Sequence, residues 1–456
     1  MGEFIYNYLK KPRFIYVPII ILGIFLGVLS FFSLKIILLI LLAIPLIIFA
    51  FFRPEIGLII YIGTLPFNNY IPRTPGLEFV SVAVFLKLLI FISLIIKLVK
   101  KEIKFVNAPQ NWAILGFTSI ALISTSVASN LTYSSKYLWD LFHILILYFL
   151  IIHLINTKKL FKWTILVLVL SGFITALFSI NQYLFGFSLR LSNNRIPGTF
   201  GNPNLFSVFL NFLIPLTLAL FLIEKTTIKK NFFIIILPIL FVAHFLTASR
   251  GGLISLVIIV FLLFLKQKNK LSILSIFLIL FLIFSLFIPI IFWQRAGTLI
   301  GVTQGMHSER LRTGILRTKS WVAALKIFSD NFLIGVGPGN FINSMNYYLP
   351  SISKSLTNKA THSTYLQLPS ELGIFGLFFF LTLLYLTYKD IKKSQKNLIN
   401  DKNMFRLAQN LEIIFIGFMI SFLFINILFF PFLWTLFALS IVLRNLNEKN
   451  KNIILN

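Results

Sequence analysis

Four short segments hold the residue types that could do chemistry, and each also has an ordinary structural use. The first, Thr247-Ala-Ser-Arg-Gly-Gly252, joins the end of one apolar run to the start of the next with almost no loop. Its glycines let a substrate approach the backbone, and the following helix N-terminus offers free N–H groups to an anion. Arg250 adds a forked charge there, although the same side chain can simply snorkel to lipid headgroups. The second, Arg195-Ile-Pro-Gly-Thr-Phe-Gly-Asn-Pro-Asn204, leads into another apolar run. Its asparagines and prolines suit a turn and a helix cap, with Arg195 on the same face as Arg250. The third, Arg317-Thr-Lys-Ser-Trp321, puts an arginine and a tryptophan four residues apart on one helix face. That spacing also suits a membrane-surface helix with an interfacial tryptophan. The fourth runs from Thr361 and His362 through Tyr365 to Glu371 and Gly373. A histidine can take a proton from an incoming hydroxyl near neutral pH, or it can cap the helix that begins beside it. An acidic group a few turns into a span, as Glu371 is, has a partner or a job.

The remaining polar residues carry weaker signals. Asp140 and His143 stand three apart and can pair across one helix face. His153 and His244 read as satisfied membrane histidines. No glycine-rich nucleotide loop, metal-ligand cluster or paired-carboxylate motif occurs in the sequence, so neither cofactor nor metal is expected.

The elements that must position these segments are membrane helices. The chain of 456 residues is 58% hydrophobic and 12% charged, with mean hydropathy +0.93, which excludes a soluble globular class. Its net charge of +28 comes from lysines clustered between apolar runs, which is a pattern of membrane topology and not of nucleic-acid binding. There is no cysteine, so disulfide frameworks and thiolate metal sites are excluded. The first apolar run follows Lys10, Lys11 and Arg13 and is too long for a cleaved signal peptide, so it reads as a span.

Runs long enough to cross lie near 14–32, 34–52, 79–99, 111–128, 136–155, 160–183, 200–223, 231–249, 251–266, 271–293, 365–387, 409–425 and 427–445. A shorter run at 56–67 must also cross if the charges are to balance. The predicted architecture is an all-α polytopic bundle of about fourteen spans, or twelve if the first hairpin stops short. It divides into a bundle at 1–293, one long outer loop at 294–364 and C-terminal spans at 365–456. Within the loop, Trp321, Val322, Leu325 and Phe328 fall at helical spacing. That predicts an amphipathic helix over 316–329 lying against the membrane or the bundle, closed by the Gly335-Val-Gly-Pro-Gly339 turn.

With both termini inside, inner loops and tails hold 25 lysines and arginines, while the short outer loops hold six. Arginine runs against this rule. Arg73, Arg190, Arg195, Arg250, Arg295, Arg310, Arg312 and Arg317, eight of the twelve, fall on the outer face. Lysine is the ordinary topology charge, whereas arginine grips phosphate with two prongs. An outward cluster of arginines therefore points to a lipid-linked phosphate or another anion handled there.

Taken in order, the four segments resemble the O-antigen ligase and polymerase superfamily of bacterial membrane glycosyltransferases. The matching positions run from Arg195 through Gly198 to Asn204, then Ser249-Arg250-Gly251, then Arg317 to Trp321 with the 335–341 segment. They end with His362, Tyr365, Leu366 and Glu371 to Gly373, covering roughly 160–390. Ser363 departs from the asparagine that many relatives carry after the histidine. The resemblance implies transfer of a glycan from an undecaprenyl-diphosphate carrier to an acceptor hydroxyl, such as lipid A-core or another glycan. The reaction would take place at the periplasmic face of the inner membrane without nucleotide or metal. It makes Arg250 and Arg317 diphosphate ligands, Arg195 a third candidate and His362 the base, with Glu371, Tyr365, Asn204 and Trp321 in support. A polymerase using the same donor is the nearest alternative, followed by a protein O-oligosaccharyltransferase. A flippase or transporter of the lipid-linked sugar would need charges through the midplane, where this chain has few.

Overall fold

The computed structural model describes residues 48–68, 82–185, 195–266, 307–348 and 361–454. The spans expected at 14–32 and 271–293 and most of that at 34–52 lie outside them, as do Arg73, Arg190 and Arg295 and the side chains of Arg310 and Arg312. Among the described residues the regular structure is α-helical, with short 3-10 turns and no strand.

The first half of the bundle comprises α1 (Pro54–Thr64), α2 (Val82–Val99), α3 (Pro109–Ser124), α4 (Leu131–Leu154) and α5 (Lys158–Phe185). It continues with α6 (Pro203–Ile223), α7 (Thr227–Leu246) and α8 (Arg250–Lys266). The outer segment carries α9 (His307–Asp330) and α10 (Phe341–Tyr348), and the chain closes with α11 (Thr364–Asn397), α12 (Lys402–Ser421) and α13 (Pro431–Ile454). Their starts follow local chemistry. Asn130 caps α4 by accepting from the N–H groups of Thr132 and Tyr133, and Asn202 caps α6 in the same way ahead of Pro203.

By length and composition, α4, α5, α6, α7, α11 and α12 can each cross a membrane. The run at 56–67 falls on α1 and the 3-10 turn after it. The 11 residues of α1 rise about 16 Å, against a hydrocarbon core of about 30 Å, so this helix alone does not reach across. The most enclosed span is α6. It is buried on nearly every side, and its Phe209 and Phe212 pack with Phe418 and Phe432 in the centre of the bundle.

The two ends of the bundle differ in chemistry. At one end lysines and arginines pair with several acidic side chains. Lys266 and Lys392 both meet Glu412, Lys158 meets Asp401 at 2.7 Å, and Arg444 meets Asp390 at 3.0 Å with Gln110 donating to the same carboxylate. At the other end lie the start of α6, the α7–α8 turn, the start of α11 and the end of α12, which are the parts that carry the four segments.

Helix α9 is longer than the sequence predicts, starting at His307, and it turns its small residues to the bundle. Ser320, Ala323, Ala324 and Ile327 are buried and form a small second core with Phe341 and Met345 of α10. Val322 and Leu325, expected on the packing stripe, are exposed. Small residues allow the helix to approach α10 and α11 closely, so the larger apolar groups point away from the bundle.

That helix is locked down by the glycine turn. Within α11 the helix breaks at Gly373, whose φ of 64° and ψ of −166° lie in a region essentially reserved for glycine. The break frees backbone groups that pair with the turn. The Ile374 N–H donates to the Phe332 carbonyl (2.8 Å), and the N–H groups of Val336 and Gly337 donate to the carbonyls of Ser370 and Glu371 (3.1 Å each). On the other side, Ser124 at the end of α3 donates to the carbonyls of Ile334 (2.6 Å) and Glu371 (3.0 Å). The Asn340 amide is fully buried and bonds with Ser129, Asn130, Ser134 and Pro338.

Candidate functional site

The four segments, spread over nearly two hundred residues, meet at one end of the bundle through a closed circuit of contacts. Arg195 donates through Nε to the Thr247 carbonyl (2.9 Å) and through Nη2 to Asn204 Oδ1 (2.8 Å). Asn204 Oδ1 also accepts from Ser249 Oγ at 3.0 Å, one residue before Arg250. The Ser249 hydroxyl in turn accepts from the Gly252 N–H (3.2 Å), capping α8 so that Arg250 stands at its first position.

From there the circuit passes to the end of α12. A Cβ on Gly251 would lie 2.5 Å from Phe424 Cβ, so α8 rests directly on the 422–425 turn. That turn holds the start of α11. The Phe422 carbonyl accepts from the Thr364 N–H (2.8 Å) and Ser363 Oγ (3.1 Å), while Thr364 Oγ1 donates to the Ile425 carbonyl (3.0 Å). Next along the chain is His362, half-buried, and the carbonyl of its neighbour Thr361 accepts from Trp321 Nε1 at 3.0 Å. One helical turn before Trp321 is Arg317, whose charged form is disfavoured first by burial and then by the Arg250 guanidinium nearby. That proximity closes the circuit.

Two like charges brought together in a partly buried place repel each other. Backbone strain gathers in the same place. Among the described residues three non-glycine positions have positive φ, and two of them, Ala248 (45°) and His362 (54°), flank the circuit. Each costs of order 1 kcal/mol and persists only because its surroundings hold it.

The structure also sorts the supporting residues. Trp321 does more than sit at an interface, because its indole N–H fixes the backbone ahead of His362. Glu371 is buried, takes 2.9 Å from Gln367 Nε2 and 3.4 Å from the Phe341 N–H, and so anchors the first turn of α10. Tyr365 packs edge-on against Phe422 and donates to the Met419 sulfur at 3.6 Å, a contact within the bundle. Arg195 and Asn204 brace the α7–α8 turn.

Three residues set aside at the sequence level look different in three dimensions. Asp140 and His143 have a further neighbour: Lys87 of α2 lies 2.5 Å from His143 Nδ1 and donates to the His143 carbonyl at 3.1 Å. His153 is satisfied as expected, by the Val106 N–H at 3.1 Å and the Phe149 carbonyl at 2.8 Å. His244 is not satisfied. It is buried, and neither ring nitrogen has a hydrogen-bond partner of good geometry among the described residues. Composition could not show this, because a ring's partners come from whichever helices pack around it.

Residues 234–381 match the family model for O-antigen ligase. The matched stretch includes Arg250, Arg317, Trp321, the 335–339 turn, His362, Tyr365 and Glu371, whereas Arg195 and Asn204 precede it. The resemblance read from the motifs is borne out over this stretch, which is similar to the O-antigen ligase family. A search of curated proteins found no match.

Proposed function

We propose that the protein transfers a glycan from an undecaprenyl-diphosphate carrier to an acceptor hydroxyl at the periplasmic face of the inner membrane, in the manner of an O-antigen ligase. The single observation that carries this reading is the hydrogen-bonded circuit that gathers the segments of Arg250, His362 and Arg317 at one end of the bundle, built by elements from both halves of the chain. In the reaction the acceptor oxygen attacks the anomeric carbon, and the bond from that carbon to the diphosphate oxygen breaks. The acceptor's proton passes to His362, and the leaving diphosphate keeps the bonding electrons and gains negative charge. Arg250, Arg317 and the N–H groups at the start of α8 stabilise that charge where it develops. Arg195 holds the turn that carries Arg250 and acts through Thr247 and Asn204. The lysine-rich end of the bundle supports the outward orientation, because the site lies at the opposite end.

The test is reconstitution. Purified protein is given a defined undecaprenyl-diphosphate glycan with lipid A-core, or with a second lipid-linked glycan. Glycosylated lipid A-core is the expected product. A lengthened lipid-linked glycan would make the protein a polymerase using the same site. No transfer to either acceptor by folded protein overturns the reading. His362→Ala is expected to slow transfer about a hundredfold while donor binding persists, whereas Arg250→Ala weakens donor binding itself.

A further inference from the structure

Helix α6 is apolar apart from Thr217 and one polar stripe. Asn204, Ser207 and Asn211 fall at spacings of three and four residues on one face, running from the helix start into the bundle. Each member of the stripe meets the α7–α8 turn. Asn204 accepts from Ser249, and Ser207 lies where a Cβ on Gly252 would come within 2.3 Å of its Oγ. Asn211 Nδ2 donates to the Gly252 carbonyl at 2.9 Å. From the other side, the His244 ring at the end of α7 faces the same Gly252 backbone. Both side chains are almost wholly buried, and the Asn211 Oδ1 and both His244 ring nitrogens have no partner of good geometry among the described residues.

Polar groups left like this in an apolar interior are costly, and a leucine at either position would avoid the cost. Their shared target explains their presence. Gly252 is the third residue of α8, and its carbonyl lies one turn inside the helix end that bears Arg250. The structure assigns His244 and Asn211 as positioning residues for Arg250. Asn211 holds the Gly252 carbonyl while the His244 ring lies against the same stretch of backbone, and together they set the direction in which the α8 N-terminus presents Arg250 and its free N–H groups to the diphosphate. The inference rests on the reading of Arg250 as a diphosphate ligand. Neither residue touches the substrate.

A double-mutant cycle tests this, using full-length protein in detergent and undecaprenyl diphosphate as the probe. Asn211→Leu and His244→Leu are each expected to weaken probe binding about tenfold, a coupling typical of residues acting through a shared contact. Thermal midpoints should stay equal or rise, since each change removes a poorly paired buried group. Asn211→Gln, which can still donate to the Gly252 carbonyl, should recover most of the affinity. In an Arg250→Ala background the same leucine substitutions should change binding by less than about twofold. Wild-type affinity in both single variants, or full additivity with Arg250→Ala, overturns the assignment while leaving Arg250 as a ligand. Should Arg250→Ala itself bind the probe normally, the diphosphate reading and this assignment fall together. Asn211 and His244 lie on different helices, so a folding failure in one variant leaves the other to decide.

Discussion

Replacing Gly373 by alanine tests whether the site depends on the docking of the outer helix. The local backbone, with φ 64° and ψ −166°, is strongly unfavourable for any residue with a Cβ, at about 1–3 kcal/mol. An alanine Cβ would also lie 2.2 Å from the Leu333 carbonyl oxygen and 2.3 Å from its carbon, both backbone atoms that no rotamer change can move. Relief requires the 332–337 turn to lift away, losing the bonds Ile374 N–H to Phe332, Gly337 N–H to Glu371 and Val336 N–H to Ser370. At about 1 kcal/mol net for each bond, the total penalty is about 4–6 kcal/mol. The penalty falls on the attachment of α9, so Arg317 and the Trp321 bond to Thr361 should be displaced while the bundle survives. Limited proteolysis of the purified variant should show new cleavage in 330–340, and glycan transfer should fall at least tenfold. Gly201→Ala is the control. Its φ is 67°, but nothing lies within 4 Å of an added Cβ, so it should cost only about 1 kcal/mol. Wild-type proteolysis and transfer in Gly373→Ala would refute the claim that this backbone junction holds the site together.

Three further outcomes are expected. Arg250→Lys should lose most transfer although its charge is kept, because an ammonium cannot reproduce the planar fork on a diphosphate; wild-type activity would move the diphosphate site elsewhere. Arg317→Met should keep or raise the thermal midpoint of ligand-free protein, since it removes one of two neighbouring like charges, while transfer is lost. A lowered midpoint with intact transfer would contradict the charge-pair argument. Reporter fusions after Lys159, Lys230 and Lys393 should read cytoplasmic and those within 300–360 periplasmic. A cytoplasmic signal from 300–360 would remove the site from the face where the donor is used.

One-dimensional patterns carried the membrane class, the lysine-rich face and the identity of the four segments, because each depends on partition between lipid and water or on local turn chemistry. Apolar runs locate helices wherever lipid selects for them, and arginines against the charge rule stand out by counting alone. What each polar group does was not legible in this way. Trp321 and Arg317 share a helix face in sequence, but only the packed structure shows the indole on Thr361 and the guanidinium near Arg250. Glu371 became an anchor for α10, Arg195 a brace and His244 an unsatisfied buried ring, each decided by which groups of other elements pack around it. The apolar stripe of α9 was legible, but not whether the membrane or the bundle takes it, because hydrophobicity predicts which residues avoid water, not which fit a neighbour. In a membrane the large apolar side chains can face lipid, and the small ones are what let helices meet.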